Sequence, residues 1–388
     1  MNIKSVKAPQ PRVDIAYLSQ LNIQSYGKDN LYPQNMALLL ENSPTGGGCR
    51  DRYASFIEGN GFADIILSNY ILNRKGNTAN DIEHLIAKDI ADFNGFAIHV
   101  NYNLFCEIVE ISHVPFSNCR LEEEDDNGYV AHIVVHPDWS GKKTRKGQPL
   151  KVDKSKVDYI DVFNPNKNVV LAQIEASGGI EFYKGQVLWV SLDGFNIYPK
   201  PIYDKIVTEL STDEGLSNVK YRNTRYNFMP FGAYIHKKAQ ASPLDDGEYD
   251  NANDSGFAES LTKFQGDTNT GNMIEIELQS DEDLPLFQKW EGNNYDSKFI
   301  VTEASTIDRI YAAFCQDPWY TIRIGKTGFS GNILQEVYEY YNSIVRTQRS
   351  VIERTFKKVF LYWHEKITDN YAIEPLKYIS NESSDNSR

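Results

Sequence analysis

The sequence has only four cysteines in 388 residues, and none of them forms a CxxC pair. Because disulfide scaffolds and structural zinc sites both need clustered cysteines, we expect neither here. His132 and His136 would share one face of a strand in the stretch AHIVVHPDW, but no third ligand lies near them in sequence. We interpret them as ordinary strand histidines and expect no metal site and no cofactor.

The sequence also lacks any run approaching the roughly 20 apolar residues that a membrane-spanning helix needs. Its first 20 residues contain no apolar core of the kind that a secretory signal has. We therefore expect no membrane partner and a protein that stays inside the cell that makes it. Hydrophobic residues at 41% and charged residues at 24% are ordinary globular values, and the length predicts two or three domains.

Positive charge is scarce, and the formal net charge is −13. This balance argues against a protein that wraps nucleic acid tightly, since such proteins neutralise many phosphates with Lys and Arg. The charge is uneven, however. Residues 241–283 carry 12 acidic residues against one Lys, whereas residues 320–366 carry eight basic residues against four Glu. The two regions are expected to have different partners.

The first 200 residues indicate a mixture of helices and strands. Two short helices are predicted in NLYPQNMALLLENS and CRDRYASFIEGNGF, with Gly46–Gly48 between them weakening any helix there. NTANDIEHLIAKDIADFNG is a clearer amphipathic helix that Gly95 would end. Six short runs between residues 96 and 190, including VLAQIEA, predict the strands of a compact antiparallel domain.

The second half is predicted to be mainly helical. A helix over 201–228 precedes a mixed, acidic segment, and a second helix over 295–316 ends at Asp317-Pro318. Its apolar stripe comprises Phe299, Ile300, Ile307, Ile310, Tyr311 and Phe314. The longest periodic pattern predicts one helix over 332–364, with Asn332 and Gln335 as a capping box. The last ten residues, ISNESSDNSR, are expected to be disordered.

The stretch RIGKTGFSGN, residues 323–332, contains a Gly-Lys-Thr triplet of the kind found in phosphate loops. Such a loop needs a glycine five positions before Gly325, but Tyr320 stands there. The motif must also join a strand to a helix that begins directly after Thr327, whereas here the next helix is predicted to begin near Asn332. The sequence therefore predicts no nucleotide site. It also contains no recognisable Ser/His or Cys/His arrangement, so we do not expect an enzyme.

The order of elements resembles that of portal proteins of tailed double-stranded DNA phages, in particular the compact portal family. NLYPQNMALLLENSPTGGGCRDRYASFIEGNGF is similar to that family's opening, with an Asn-x-Tyr-Pro stretch, a Ser-x-Thr stretch and a helix ending in Gly-x-Gly-Phe. STIDRIYAAFCQDPWYTI resembles its pattern of an arginine, an Ile-x-x-Ala-Phe run and a proline, here Arg309, Ile310, Ala313, Phe314 and Pro318. The resemblance covers most of residues 20–365.

The resemblance implies a portal-like α+β fold with a fixed division of the chain. A mixed wing would be followed by a first stem helix, a clip, a second stem helix, a tunnel loop, a long helix running from the channel wall to the wing, and a short crown or disordered tail. In this sequence these parts would be residues 1–200, 201–228, 229–294, 295–316, 317–331, 332–364 and 365–388. The triple glycine departs from the family pattern, and any crown must be short or missing.

The resemblance further implies a ring, dodecameric in the virion, at one vertex of a capsid. The terminase large subunit would pump double-stranded DNA through it without sequence specificity, and head–tail adaptors would dock on it. A major capsid or scaffold protein would hold it at the vertex. The protein would be made in the host cytoplasm and would end in the virion.

Two sets of site residues follow as expectations. In the tunnel loop the DNA-facing residues would be Arg323, Lys326, Thr327, Ser330 and Asn332. In the clip the partner-binding acids would be Asp245, Asp246, Glu248, Asp250 and Asp254. An alternative is that Arg323 and Lys326 pair with Glu336 or Glu339 of a neighbouring subunit. The second-ranked function is a phage head or adaptor component without a channel, and an enzyme ranks third.

Overall fold

In the computed structural model, the chain forms two compact units, residues 1–211 with 307–388 and residues 212–306. The predicted α+β class is confirmed, since helices and a mixed sheet are both present. The functional division into wing, stem, clip and tunnel loop stays a prediction. The structure describes residues 15–126, 128–140, 152–193, 197–226, 232–237, 273–278, 286–289, 295–326, 328 and 331–379.

The first unit contains a six-stranded sheet in the order β4-β3-β8-β7-β6-β5 and a small hairpin of β1 and β2. The strands are β1 (Tyr17–Leu18), β2 (Ile23–Gln24), β3 (Gly95–Tyr102), β4 (Ile108–Val114), β5 (Cys119–Leu121), β6 (His132–Val135), β7 (Asp158–Val162) and β8 (Gln186–Ser191). All neighbouring pairs in the large sheet are antiparallel except β7 and β8.

That parallel pair corrects two expectations. The domain is not wholly antiparallel, and VLAQIEA is not a strand but lies within helix α5 (Lys167–Ala176). Parallel neighbours need a crossover connection, which is usually a helix. Asn166 caps this helix by accepting a hydrogen bond from the Asn168 N–H at 3.0 Å. The cap and the topology outweigh the preference of the two valines for a strand.

Helices α1 (Tyr32–Asn42), α2 (Pro44–Glu58), α3 (Ile65–Ser68) and α4 (Ala79–Phe93) also belong to this unit. The three glycines were predicted to separate two helices. They lie instead in the first turns of α2, which Ser43 caps. A β-carbon placed on Gly46 would lie 2.4 Å from Leu210 Cδ2. The missing side chain therefore lets α2 approach the helix that begins at Val207.

Helix α4 forms where the amphipathic pattern predicts it. Thr78 and Asp81 form a capping box, and the helix ends at Asn94 in the left-handed conformation, one residue before the predicted stop. The buried Asp89 carboxylate lies 2.7 Å from His113 Nε2 of β4 and accepts the Phe116 N–H at 3.2 Å. These bonds fix α4 to the sheet.

Helix α6 (Val207–Tyr226) begins in the first unit and continues in the second. Helix α7 (Tyr295–Ala313) begins in the second unit and ends in the first. Within the second unit, Lys220 of α6 pairs with Glu303 of α7. Its strands β9 (Gly232–Lys237), β10 (Met273–Leu278) and β11 (Leu286–Lys289) form a sheet in the order β10-β9-β11.

The stripe predicted on α7 is only partly correct. Ile310 and Phe314, just past its end, are buried, but Ile300 is 65% exposed. The buried end belongs to the first unit, where α7 meets its core, and the exposed end belongs to the second. Periodicity shows which face of a helix is apolar but cannot show how far along the helix that face is covered.

The long final helix is divided in two. Helices α9 (Gly331–Ile344) and α10 (Arg346–Phe360) meet at Val345, whose backbone angles of −82° and 1° leave the helical region. The predicted apolar positions are nevertheless buried on both sides of the break: Leu334, Val337, Tyr341, Val345, Ile352, Phe356, Val359 and Trp363. The apolar pattern correctly predicted which residues are buried. A break of one residue leaves such a pattern unchanged, so the pattern could not predict the break.

Ile373 and Glu374, in the segment that follows α10, contact the helical part of the first unit. Ile373 forms an antiparallel bridge with Phe62, and the Asn60 N–H donates to the Glu374 carbonyl at 2.8 Å. The Ile373 N–H donates to the Glu353 carboxylate at 2.9 Å. This segment therefore packs on the C-terminal end of α2 and on α10. The predicted disorder of 379–388 falls almost wholly outside the described residues.

Candidate functional site

The predicted tunnel loop, residues 317–331, is not a loop throughout. Helix α8 (Asp317–Arg323) occupies its first half, with Pro318 in the first turn. Pro318 was predicted to end α7, but it lies in the first turn of the next helix. Its fixed φ suits a first turn, and the N–H that proline lacks is not needed there. Cys315 turns the chain between the two helices with a left-handed φ of 55°.

The turn between α7 and α8 is fixed by Gln316, whose side chain is completely buried. Its Oε1 accepts a hydrogen bond from Arg52 Nη1 at 2.6 Å. Its Nε2 donates to the Cys49 carbonyl and to the Tyr341 hydroxyl oxygen, both at 2.8 Å. Tyr341 in turn donates to the Phe314 carbonyl at 3.0 Å. The chain entering the loop is thus tied to both α2 and α9.

Aromatic packing holds the same region. Trp319 of α8 lies edge-on to Phe56 of α2 and to Tyr338 of α9, with ring centroids 6.2 and 5.4 Å apart. Arg52 Cζ lies 5.0 Å from the Trp319 ring centroid, a geometry that contributes about 0.5–2 kcal/mol. Burial raises the pKa of Tyr341 well above its usual value, so the hydroxyl stays protonated at every physiological pH. The base of the loop is therefore a packed aromatic cluster with one half-buried cation, Arg52.

The tip of the loop is exposed where it is described. Arg323, Gly325 and Lys326 all face solvent, and Gly325 adopts a positive φ of 72° that favours glycine. The Arg323 Nη1 donates to the Tyr311 hydroxyl at 3.3 Å, with its Cζ 5.9 Å from that ring. The structure therefore brings Arg323 and Lys326 together at one exposed turn. Thr327 and Ser330 lie outside the described residues.

The predicted capping box is wrong. Helix α9 begins at Gly331, so Asn332 is its exposed second residue and not its cap. The Gln335 Nε2 instead donates to Glu339 Oε1, 2.9 Å away on the next turn. Glu336 and Glu339 are both exposed on α9. Two roles of Arg323 and Lys326 therefore both stay predictions. One is a contact with DNA, and the other is pairing with these acids on a neighbouring subunit.

Gly325 and Lys326 follow the end of helix α8, whereas the glycine and lysine of a phosphate loop follow a strand. The five predicted clip acids, Asp245, Asp246, Glu248, Asp250 and Asp254, lie outside the described residues. Their role stays a prediction.

Of the two histidines expected on one strand, only His132 lies within β6. His132 Nδ1 lies 2.5 Å from Glu122 Oε2, and His136 lies just beyond the end of β6. In the described part of the chain, no group of three or more His, Cys, Asp or Glu side chains is arranged to hold a metal ion. No helix among the described residues combines the length and apolarity needed to cross a membrane.

Sequence reasoning identified the exposed cations but not the residues that position them. Gln316 and Arg52 carry the attachment of the loop, yet a buried glutamine at a helix end is indistinguishable in one sequence from an exposed one. The only available signal was the dense aromatic content around them: Phe56, Phe314, Trp319, Tyr338 and Tyr341. Such density indicates a core, and a polar residue within it has to find partners.

No protein-family model and no curated protein matches the sequence. Among solved structures, the chain is similar to one in the neck of a native gene transfer agent particle computed with C12 symmetry, at 13% identity and a TM-score of 0.49, covering 88% of this chain and 84% of that one. A chain from the virion of the native gene transfer agent gives 13% identity, a TM-score of 0.47 and coverages of 88% and 83%. An HK97-family phage portal protein from Corynebacterium diphtheriae is 11% identical, with a TM-score of 0.31. The match covers 79% of this chain and 88% of that one.

Proposed function

We propose that this chain is the subunit of a portal-type ring at one vertex of a phage capsid, through which double-stranded DNA enters and leaves. The observation that carries the proposal is the path of the chain around the loop. Helix α6 leaves the first unit, a separate unit of residues 212–306 follows, and α7 returns to a buried turn at Gln316. An exposed, cationic tip then precedes α9 and α10.

This arrangement suits a fixed constriction better than a catalytic site. The base of the loop is held by four hydrogen bonds and by aromatic rings packed edge to face, while its tip presents Arg323 and Lys326 to solvent. Proteins that hold DNA without reading its sequence contact phosphates through such cations. The protein has no enzymatic activity in this proposal, and the motor supplies the energy.

Electrostatics favour sliding over gripping. A net charge of −13 on each chain repels the duplex, so the few cations at the narrowest point of a ring would centre it. A ring repeats Arg323 and Lys326 once in every subunit, which concentrates charge that is sparse in one chain. DNA then meets many weak contacts and no strong one, which permits movement.

The partners in this proposal are further copies of the chain in a ring of twelve, the terminase large subunit, a head–tail adaptor, and a major capsid or scaffold protein. The segment 241–283, with a net charge of −11, repels DNA and would bind basic surfaces of the motor or adaptor. The protein would be made in the host cytoplasm and reside in the virion.

Ring formation is the expected result that tests this function. The purified 44.3 kDa chain should give a native mass of many subunits and electron micrographs of rings with a central hole. The measurement is made on the protein alone and again with the scaffold protein of the same virus, since a scaffold can be needed for assembly. A monomer or dimer in both samples contradicts the proposal and favours an adaptor without a channel.

A further inference from the structure

Glu83, on α4, is a buried acid whose carboxyl group forms no hydrogen bond with the described residues. Its side chain is completely inaccessible, and neither carboxyl oxygen has a hydrogen-bond partner among the described residues. Burial raises the pKa of Glu83 well above its usual value, the nearby Glu58 raises it further, and Arg349 acts in the opposite direction. A carboxyl in this position is neutral until something compensates its charge.

Arg349, on α10, is the cation that faces it. The Arg349 residue is 5% exposed, and its Nη2 donates to the Asn342 carbonyl at 2.9 Å and to Asn342 Oδ1 at 2.7 Å. Asn342 belongs to α9, so these bonds cross the break at Val345. The Arg349 Nε is buried and has no partner among the described residues.

The other charged groups around Glu83 are already engaged. Glu58 of α2 lies 2.8 Å from His84 Nδ1 of α4, and Glu353 of α10 accepts the Ile373 N–H at 2.9 Å. Helix α10 packs directly on α2 and α4. Arg349 therefore holds a neutral acceptor, Asn342, while Glu83, an acid without a hydrogen bond, lies on the helix against which α10 packs.

We propose that Arg349 is a two-position latch across the α9–α10 joint, bound to Asn342 while Glu83 is protonated and to Glu83 once that carboxyl ionises. The Glu83 proton passes to solvent, and the guanidinium, which stays charged, moves to the new carboxylate. Release of Asn342 frees the joint at Val345. The described structure is the protonated position. The inference concerns the fold of the first unit and does not depend on ring formation.

The sign of the pH effect follows from linkage. Between the ordinary pKa of a glutamate and the raised pKa of Glu83, the folded protein binds more protons than the unfolded chain, so stability falls as pH rises. The folding equilibrium constant of the native protein should fall by up to about tenfold for each unit of pH in this window. The equilibrium constant of Glu83→Gln should not show this fall. Below the ordinary pKa of a glutamate, Glu83 is protonated in both the folded and the unfolded state, so stability no longer changes with pH through this group.

Hydrogen exchange tests the latch directly. Amides of residues 343–349 in the native protein should exchange about tenfold faster above the raised pKa of Glu83 than below it in a pH series, after correction for intrinsic rates. Glu83→Gln should abolish that increase, because an amide cannot ionise. Equal pH dependence in both proteins contradicts the latch, as does slow exchange of these amides at every pH in the native protein.

A second variant weakens the other position. Asn342→Ala removes one of the two acceptors of Arg349, the side-chain Oδ1, and keeps the Asn342 carbonyl, so the joint should exchange faster than in the native protein while Glu83 is protonated. In this variant Arg349 should pair with Glu83 at lower pH, and the pH window in which stability falls should end at a lower pH. An unchanged exchange pattern in Asn342→Ala shows that the Asn342 side chain does not hold the joint and overturns the proposal, even if Glu83→Gln does not fold.

Discussion

Gln316→Leu is expected to destabilise the first unit by about 3–5 kcal/mol, the largest stability effect that we predict for a single side chain. The change removes the acceptor of the half-buried Arg52 Nη1 and one donor each from the Cys49 carbonyl and the Tyr341 hydroxyl. Each neutral hydrogen bond lost contributes about 0.5–1.5 kcal/mol, and the bond to the charged Arg52 contributes about 1.5–3 kcal/mol. Chemical denaturation of the variant and the native protein measures the difference.

Gln335→Leu is the matched control. It makes the same chemical change on the exposed face of α9, where the side chain donates a hydrogen bond to the exposed Glu339. Surface substitutions of this kind usually stay within about 0.5 kcal/mol. Similar losses for both variants would show that the bonds of Gln316 do not fix the base of the loop. In that case the rigid-constriction argument fails.

Replacing Arg323 and Lys326 together by alanine is expected to reduce packaged or retained DNA by about tenfold, which corresponds to about 1.4 kcal/mol. Both side chains are exposed, so the chain should fold normally and its rings should form. The reason is the loss of two cations from every subunit at the proposed constriction. Particles are assayed for nuclease-protected DNA after ring assembly has been verified by electron microscopy.

The control for this variant removes the same amount of charge elsewhere. Arg354 and Lys357 are exposed on α10, away from the loop, and their replacement by alanine also removes two cations per subunit. Packaging should be nearly normal in this second variant. Normal packaging by the loop variant excludes the DNA contact, and failure of its rings to assemble instead supports pairing with Glu336 or Glu339 of a neighbour.

Strong periodicity was a reliable guide to the fold. Helix α4 and the buried positions of α9 and α10 follow from their apolar spacing. Tertiary context decided the other elements. The Val-rich run of α5 is helical because the sheet needs a crossover, and Pro318 starts a helix because Cys315 has already turned the chain.

Buried polar residues were the main feature that the sequence could not reveal. Arg120 is completely buried and donates to the carbonyls of Asn30, Ser117 and Cys119, and burial lowers the pKa of its guanidinium to about 10. Gln316 is equally hidden. A sequence records that a side chain can donate hydrogen bonds but not where its acceptors will be. The exposure of Arg323 does not depend on buried acceptors, so it could be predicted from the sequence.

The location of the loop within an assembled ring tests the central claim most directly. A reconstruction of the assembled protein by electron cryo-microscopy should place residues 323–332 nearest to the central axis, with Arg323 or Lys326 facing the opening in each subunit. The turn at Gln316 should lie behind them in the wall. Rings in which this loop lies on the outer surface, or in which another segment forms the narrowest point, would contradict the account.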